Sequence, residues 1–189
     1  QMQLPPDKKI VCWTGRLSSE KQPVQFLEMA ARLKERNDVF FLLVGEGLQW
    51  TQVKEAMDRL QLQQVVRWLP GVPYEQIPQI LAASDILIIT SRTESGPLVL
   101  FEALAMNVPV VTYDVGRARD LIRDGWNGYV IPLQDSALLT EKVTTLVADP
   151  RLLASMKEHC RTTILNGEFT NEQMVQKYNR FFQDWLFGK

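Results

Sequence analysis

Short apolar runs alternate along this chain with stretches of helical periodicity. Lys9–Thr14 (KIVCWT), Val39–Val44 (VFFLLV), Val65–Leu69, Asp85–Thr90 (DILIIT), Val108–Tyr113 and Tyr129–Pro132 are nearly continuous in apolar residues. Between them the apolar positions recur every three or four residues. Phe26, Leu27, Ala30 and Leu33 do so within Pro23 to Arg36, and Trp50, Val53, Met57 and Leu60 within Leu48 to Leu62. Shorter helical patterns follow at Glu75 to Ala83 and Ala118 to Arg123, and a longer one at Ser136 to Ala148. Asp149-Pro150 breaks that helix and starts another, and a last helix runs from Thr170, its expected N-cap, to about Phe187. A strand that is apolar at every position is buried on both faces, and helices between such strands imply parallel pairing. The pattern predicts an α/β fold, a doubly wound Rossmann-like parallel sheet of about six strands with helices on both faces. Sheets of this kind bind ligands beyond the carboxyl ends of their strands. Gly15, Gly45, Gly71 and the segment Ser91–Gly96 all fall just past a strand end, so they are expected to line one crevice.

The stretch from Thr90 to Val111 (TSRTESGPLVLFEALAMNVPVV) carries the densest candidate chemistry. It reads as strand end, polar turn, helix and return to a strand. Pro97 suits the first helical position, where a missing N–H costs nothing. The amides of Leu98 and Val99 then point into the turn with the positive end of the helix dipole behind them, an arrangement suited to an anion. Glu94 falls in the turn and Glu102 on the helix. A carboxylate beside an anion site repels phosphate but accepts hydrogen bonds from hydroxyls, so the pair suggests an anionic ligand that also carries polyols. A loop acid and a solvated helix acid is the plainer alternative. Arg16 and Lys21, on the turn after the first strand, could face the same crevice or simply be solvated. Arg offers a planar fork to phosphate and Lys a mobile point charge. At ~4 Å from a phosphate and an effective dielectric of 20, each is worth about 4 kcal/mol before desolvation. Two such cations could support a diphosphate leaving group without a metal, and no Asp-x-Asp pair occurs to hold one.

Composition narrows the partners. With 189 residues and a formal net charge of -1, the chain is the length of one sizeable domain and offers no basic surface for nucleic acid or an anionic membrane. No apolar run reaches the ~18 residues that a spanning helix needs. Cys12 and Cys160 lack metal-ligand spacing and read as reduced thiols, which points to the cytoplasm. Gly45-Glu46-Gly47 follows the second strand and lacks a third glycine, so a dinucleotide fingerprint is disfavoured. His159, the sole histidine, falls beside Lys157, Glu158 and Arg161 and reads as part of a solvated helix face. Tyr178, Phe181, Phe182, Trp185 and Leu186 on the last helix pack either on their own domain or on a further one. The opening QMQLPPDKK reads as a linker, which divides the chain into an interdomain remnant at 1–8 and one ligand-binding domain at 9–189.

At this point the residues resemble a known family. Glu94 and Glu102 match the Glu-x7-Glu signature of the family 4 (glycosyl transferases group 1) retaining glycosyltransferases, which have the GT-B fold. The resemblance extends through Thr14-Gly15-Arg16-Leu17 with Lys21, Leu43-Val44-Gly45-Glu46-Gly47, Leu69-Pro70-Gly71-Val72, Ala83-Ser84-Asp85-Ile86, Glu102-Ala103-Leu104-Ala105, Pro109-Val110-Val111 and Asp124-Gly125-Trp126-Asn127-Gly128. It implies the C-terminal, donor-binding half of a two-domain enzyme that transfers a glycosyl group from a nucleoside-diphosphate sugar to an acceptor hydroxyl, with no metal and no cofactor. UDP is expected ahead of GDP or ADP. By this likeness Arg16 and Lys21 contact the diphosphate and Glu94 the transferred sugar, making these three the catalytic candidates. Ser95, Gly96, Pro97, Leu98 and Val99 surround the phosphate, Glu102 takes the ribose hydroxyls, Gly71, Val72 and Pro73 meet the base, and Gly15 flanks the site. The acceptor site is expected on an N-terminal domain, so the fragment alone would bind nucleotide without turnover, and a full-length enzyme could associate peripherally with a membrane. The chain departs from the family at Gly96-Pro97, where an aromatic residue and Gly are usual, at Asn107, and at Gly116-Arg117 with Asp120. Two other readings stay open: a nucleotide-sugar epimerase of related fold, and a non-catalytic nucleotide- or protein-binding module.

Overall fold

A computed structural model describes residues 4–166 and 171–187. Thr170 lies outside them, as do the side chains of Phe181, Phe182, Trp185 and Leu186 within the last helix. Six parallel strands form one sheet: β1 (Lys9–Thr14), β2 (Val39–Val44), β3 (Val66–Leu69), β4 (Ile86–Ile89), β5 (Val110–Tyr113) and β6 (Gly128–Ile131). Their order is β3-β2-β1-β4-β5-β6. The chain therefore builds outward from β1 in one direction, crosses over after β3, and builds outward in the other. β1 pairs with β2 from Lys9↔Val39 to Thr14↔Val44, and with β4 at Val11↔Ile86 and Cys12↔Leu87.

The side-chain period of two sorts the strands onto two cores. Val11 and Trp13 join Phe41, Leu43, Ile86, Ile88, Val111 and Tyr113 on one face, under α1 (Pro23–Arg32), α2 (Trp50–Leu60) and α6 (Ser136–Ala148). Phe26 of α1 meets Phe41 edge-on there, with ring centroids 6.1 Å apart. Leu87, Ile89 and Val110 face the other way, under α4 (Leu98–Ala105) and α5 (Ala118–Leu121). Ile10, Cys12 and Leu42 do the same beneath α3 (Ile77–Ala82). α7 (Pro150–Asn166) spans both layers, with Leu153 and Met156 in the first core and Cys160 in the second. α8 is Asn171–Phe187. Cys12 and Cys160 are free and buried, and burial pushes each thiol up to about 12. No described helix is long and apolar enough to cross a membrane.

The helix ends have local causes. Asp135 caps α6 by accepting the Leu138 amide at 2.9 Å, and Asp149 accepts those of Arg151 and Leu152 at 3.0 Å to start α7. α1 stops four residues before the expected Arg36. Leu33 leaves helical geometry at φ -112, ψ 3, and Arg36 closes a turn onto Asp38. The expected helix from Glu75 begins instead as a 3-10 turn, Tyr74–Gln76, followed by α3. Pro78 has no amide to donate to the Tyr74 carbonyl, so a continuous α-helix cannot form across it. Pro97 stands one place before its expected position: it is the N-cap of α4 at φ -66, ψ 115, and Leu98 opens the helix.

Candidate functional site

The order of the strands reverses between β1 and β4, and the loops that leave these two strands diverge around a crevice. The loop after β1 continues the sheet's hydrogen-bond ladder beyond the strands: Gly15 donates to the Val44 carbonyl at 3.0 Å and Leu17 to that of Glu46 at 2.8 Å. Backbones run so close here that a Cβ on Gly45 would lie 1.9 Å from the Gly15 carbonyl oxygen, which explains glycine at a φ of 138. This seam forms one wall of a cleft of about 480 Å³. Arg16, Lys21 and Glu46 line that wall, and Leu98, Val99 and Glu102 of α4 line the opposite one, with Val72, Tyr74 and Ile77 between them.

Of the residues singled out in the sequence, Gly15, Arg16, Lys21, Val72, Pro97, Leu98, Val99 and Glu102 meet in this cleft. Gly71, Pro73, Glu94, Ser95 and Gly96 stand outside its lining. Glu94 nevertheless belongs to the same constellation, because the Lys21 ammonium forms an ion pair with its Oε1. Ser91 donates to the same oxygen at 2.6 Å. The Glu94 side chain is only 10% exposed. From behind, the turn after β5 abuts it: a Cβ on Gly116, at φ +54, would lie 2.8 Å from the Glu94 carbonyl oxygen.

At the start of α4, Leu98 and Val99 occupy the first two helical positions, whose amides have no carbonyl a full turn back within the helix. Pro97 lends its carbonyl to Leu100 at 3.0 Å. Glu102 sits one turn further in, half-buried, and its Oε1 accepts a hydrogen bond from the Tyr74 phenol. That bond, followed by desolvation and the carboxylate's charge, raises the ionisation of Tyr74 above the ordinary phenol value. The loop after β1 also carries its own acid: a hydrogen bond from Ser18 holds Glu20 below the usual carboxylate range, with smaller help from its own backbone and from Arg16 and Lys21.

Tyr74 is the contributor that the sequence reading did not name; Ser91 and Glu46 were named only within the crevice segment and a loop motif, without a role of their own. Tyr74 follows Pro73 on the loop after β3, one residue beyond the Gly71 to Pro73 segment that the resemblance assigned to the base. Ser91 is the first residue past the expected fourth strand and needed only its spacing of three from Glu94. His159 is not on a fully solvated face: its ring stacks on Trp126 at 3.3 Å between centroids, and Arg123 lies over the other ring system of that pair at 5.5 Å from the Trp126 centroid. Helix periodicity alone does not reveal the partner, because Trp126 sits in a distant turn.

Comparisons with known proteins bear on the family and the fold. A sequence profile of the glycosyl transferases group 1 matches residues 1–163. The alpha-D-kanosaminyltransferase of Streptomyces kanamyceticus is 29% identical over 154 residues, covering 81% of this chain and 40% of that protein. The N-acetyl-alpha-D-glucosaminyl L-malate synthase of Bacillus anthracis is 26% identical over 179 residues, covering 95% of this chain and 46% of that protein. Among solved structures, Anabaena HepE in complex with UDP superposes with a TM-score of 0.80 at 27% identity, covering 92% of this chain and 49% of that one. The chain thus spans less than half the length of the two enzymes and about half of the third protein.

Proposed function

The chain belongs to the glycosyl transferases group 1, and from that premise we propose that it is the donor-binding domain of a retaining, metal-independent glycosyltransferase that uses a UDP-sugar. The observation that carries the proposal is the meeting, at the strand-order reversal, of two cations, a helix start and two carboxylates around one cleft. Each element suits one part of a nucleoside-diphosphate sugar. Arg16 and Lys21 neutralise the diphosphate and stabilise it as the leaving group, which is where negative charge develops in the transition state. The amides of Leu98 and Val99 add partial positive charge on the opposite side; Pro97, the cap, contributes a carbonyl and no N–H, so the anion site begins at Leu98. Ser95 and Gly96 continue the phosphate side of the turn.

Glu102 accepts the ribose hydroxyls, exchanging the Tyr74 phenol for them. Gly15 flanks the diphosphate, and Gly71, Val72 and Pro73 contact the base. Glu94 holds the hydroxyls of the transferred sugar and lends its charge to the cationic reacting carbon. We assign it a positioning role rather than a nucleophilic one, with Oε1 held by Lys21 and Ser91 and Oε2 left for the sugar. Uridine is favoured by the UDP bound to Anabaena HepE. Residues 9–189 form this donor domain and 1–8 the join to an acceptor-binding domain supplied by the rest of the protein. The domain alone binds donor without transferring it, and the whole enzyme works in the cytoplasm.

Titration calorimetry of this chain against UDP, GDP, ADP and UDP-sugars tests the reading. Binding of UDP that is lost at raised ionic strength and weakened by Arg16→Ala is expected. No binding of any nucleotide, or binding indifferent to Arg16, overturns it.

A further inference from the structure

One buried hydrogen-bond chain stands just behind the cleft. Thr90 follows the wholly apolar β4 and is 0% exposed. A hydroxyl in such a place costs free energy unless its partners are present, and valine would suit the strand end at least as well. The hydroxyl is fully used. Trp13, itself 2% exposed on β1, donates its indole N–H to Thr90 Oγ1 at 2.9 Å. Thr90 Oγ1 in turn shares its proton between the carbonyls of Lys21 at 2.9 Å and Gln22 at 3.0 Å. Trp13 is thus the donor that leaves the threonine proton free for the loop, since a hydroxyl has one proton to give.

The grip falls where the loop most needs it. Gln22 holds a left-handed conformation at φ 49, ψ 55, uncommon for a residue other than glycine. Two residues past Thr90, the Arg92 amide donates to the Glu20 carbonyl at 2.8 Å. Residues 90–92 therefore hold the backbone of residues 20–22, while Glu94 of the same segment, itself bonded by Ser91, holds the Lys21 side chain. We propose that Thr90, oriented by Trp13, is a positioning residue that fixes the Lys21 backbone so that its ammonium stands between Glu94 and the diphosphate of the donor. This rests on the reading of Lys21 as a diphosphate ligand.

A double-mutant cycle on this chain, read by UDP titration calorimetry with thermal melts alongside, separates the two ideas. Lys21→Ala weakens UDP binding at least about tenfold. Thr90→Val weakens it about tenfold, roughly 1.4 kcal/mol, and by less than about twofold when Lys21 is already Ala, the coupling expected of residues acting through one another. Thr90→Ser keeps the hydroxyl and restores affinity. Should Thr90→Val fail to fold, Trp13→Phe takes its place in the cycle under the same criteria. A Thr90→Val effect of equal size with and without Lys21, or no effect while Lys21→Ala weakens binding, overturns the positioning role alone. A wild-type chain that ignores UDP overturns the donor reading and this inference with it; a neutral Lys21→Ala in a chain that binds UDP overturns the diphosphate role of Lys21 and this inference alone.

Discussion

At the inner end of the cleft, Glu94 is 10% exposed, ion-paired to Lys21, bonded by Ser91 and backed by the Gly116 turn. At the outer end, Glu102 is half-buried on the first turns of α4 and meets the phenol of Tyr74, which is 59% exposed. Glu102 lines the cleft and Glu94 stands just behind it, tied to the lining by Lys21, and their environments suit them to different tasks. The inner one has lost most of its hydration, so a fixed cation must offset that loss, and its orientation is settled before any ligand arrives. The outer one keeps access to water, so exchanging a phenol for ligand hydroxyls changes its hydrogen-bond count little. On the proposed reading, preorganisation is concentrated where bonds are to be broken, and adaptability where a ligand is only held.

The glycines test that contrast most severely. Gly116→Ala, behind Glu94, forces a Cβ to 2.8 Å from the Glu94 carbonyl oxygen at a φ of +54 and is expected to cost about 3 kcal/mol or more in urea unfolding. Gly71→Ala, at the outer end, meets Glu46 Oε2 at 3.4 Å and only a φ of +63 to resist it, so a loss of about 1–2 kcal/mol is expected. Equal losses would erase the distinction between a rigid and a yielding end.

Next in size is the effect on chemistry. In the full-length protein, Glu94→Gln is expected to lower glycosyl transfer at least about a hundredfold while UDP affinity changes little; turnover near wild type would remove Glu94 from the sugar. Glu102→Ala is expected to do the reverse, weakening UDP about tenfold with a far smaller change in turnover at saturating donor. The smallest signal is spectroscopic. The Tyr74 phenol is held neutral by Glu102, so its ionisation lies above the ordinary 10.0. Because the folded value is the raised one, whatever this bond adds to stability is complete below the unfolded value and is lost as pH climbs through the folded one. A difference absorbance titration of wild type against Tyr74→Phe reads that ionisation, and Glu102→Gln is expected to move it down. An unmoved titration would mean that the two side chains do not meet in solution.

The strands, the parallel pairing and the strand-end crevice were legible because continuous apolar runs bounded by glycines admit few other folds. β1, β2 and α6 agree with the sequence reading to the residue. Helix ends were less legible where a single residue decides them, as Pro78 does by lacking an amide and Leu33 by leaving helical geometry. The cations and the two glutamates were found by residue type and place. The strand-end rule also allowed them one crevice, but the direct ion pair of Lys21 with Glu94 was not legible, because the two are 73 residues apart and nothing local announces the contact. Tyr74 and Thr90 were passed over for opposite reasons. An exposed loop tyrosine looks ordinary, and a buried threonine at a strand end looks like β propensity.

The reversal of strand order has a cost in time as well as a use in space. β1 finishes with a neighbour on each side, yet β4 begins only at Ile86. During synthesis at ~5–20 residues per second, β1 waits roughly 4–15 s for that second neighbour. Throughout that interval one edge of this apolar strand leaves its N–H and C=O groups unpaired, the condition under which strands recruit foreign ones. The nascent chain is therefore most exposed to aggregation when half of its sheet is made, and a ribosome that pauses between β3 and β4 lengthens the hazard.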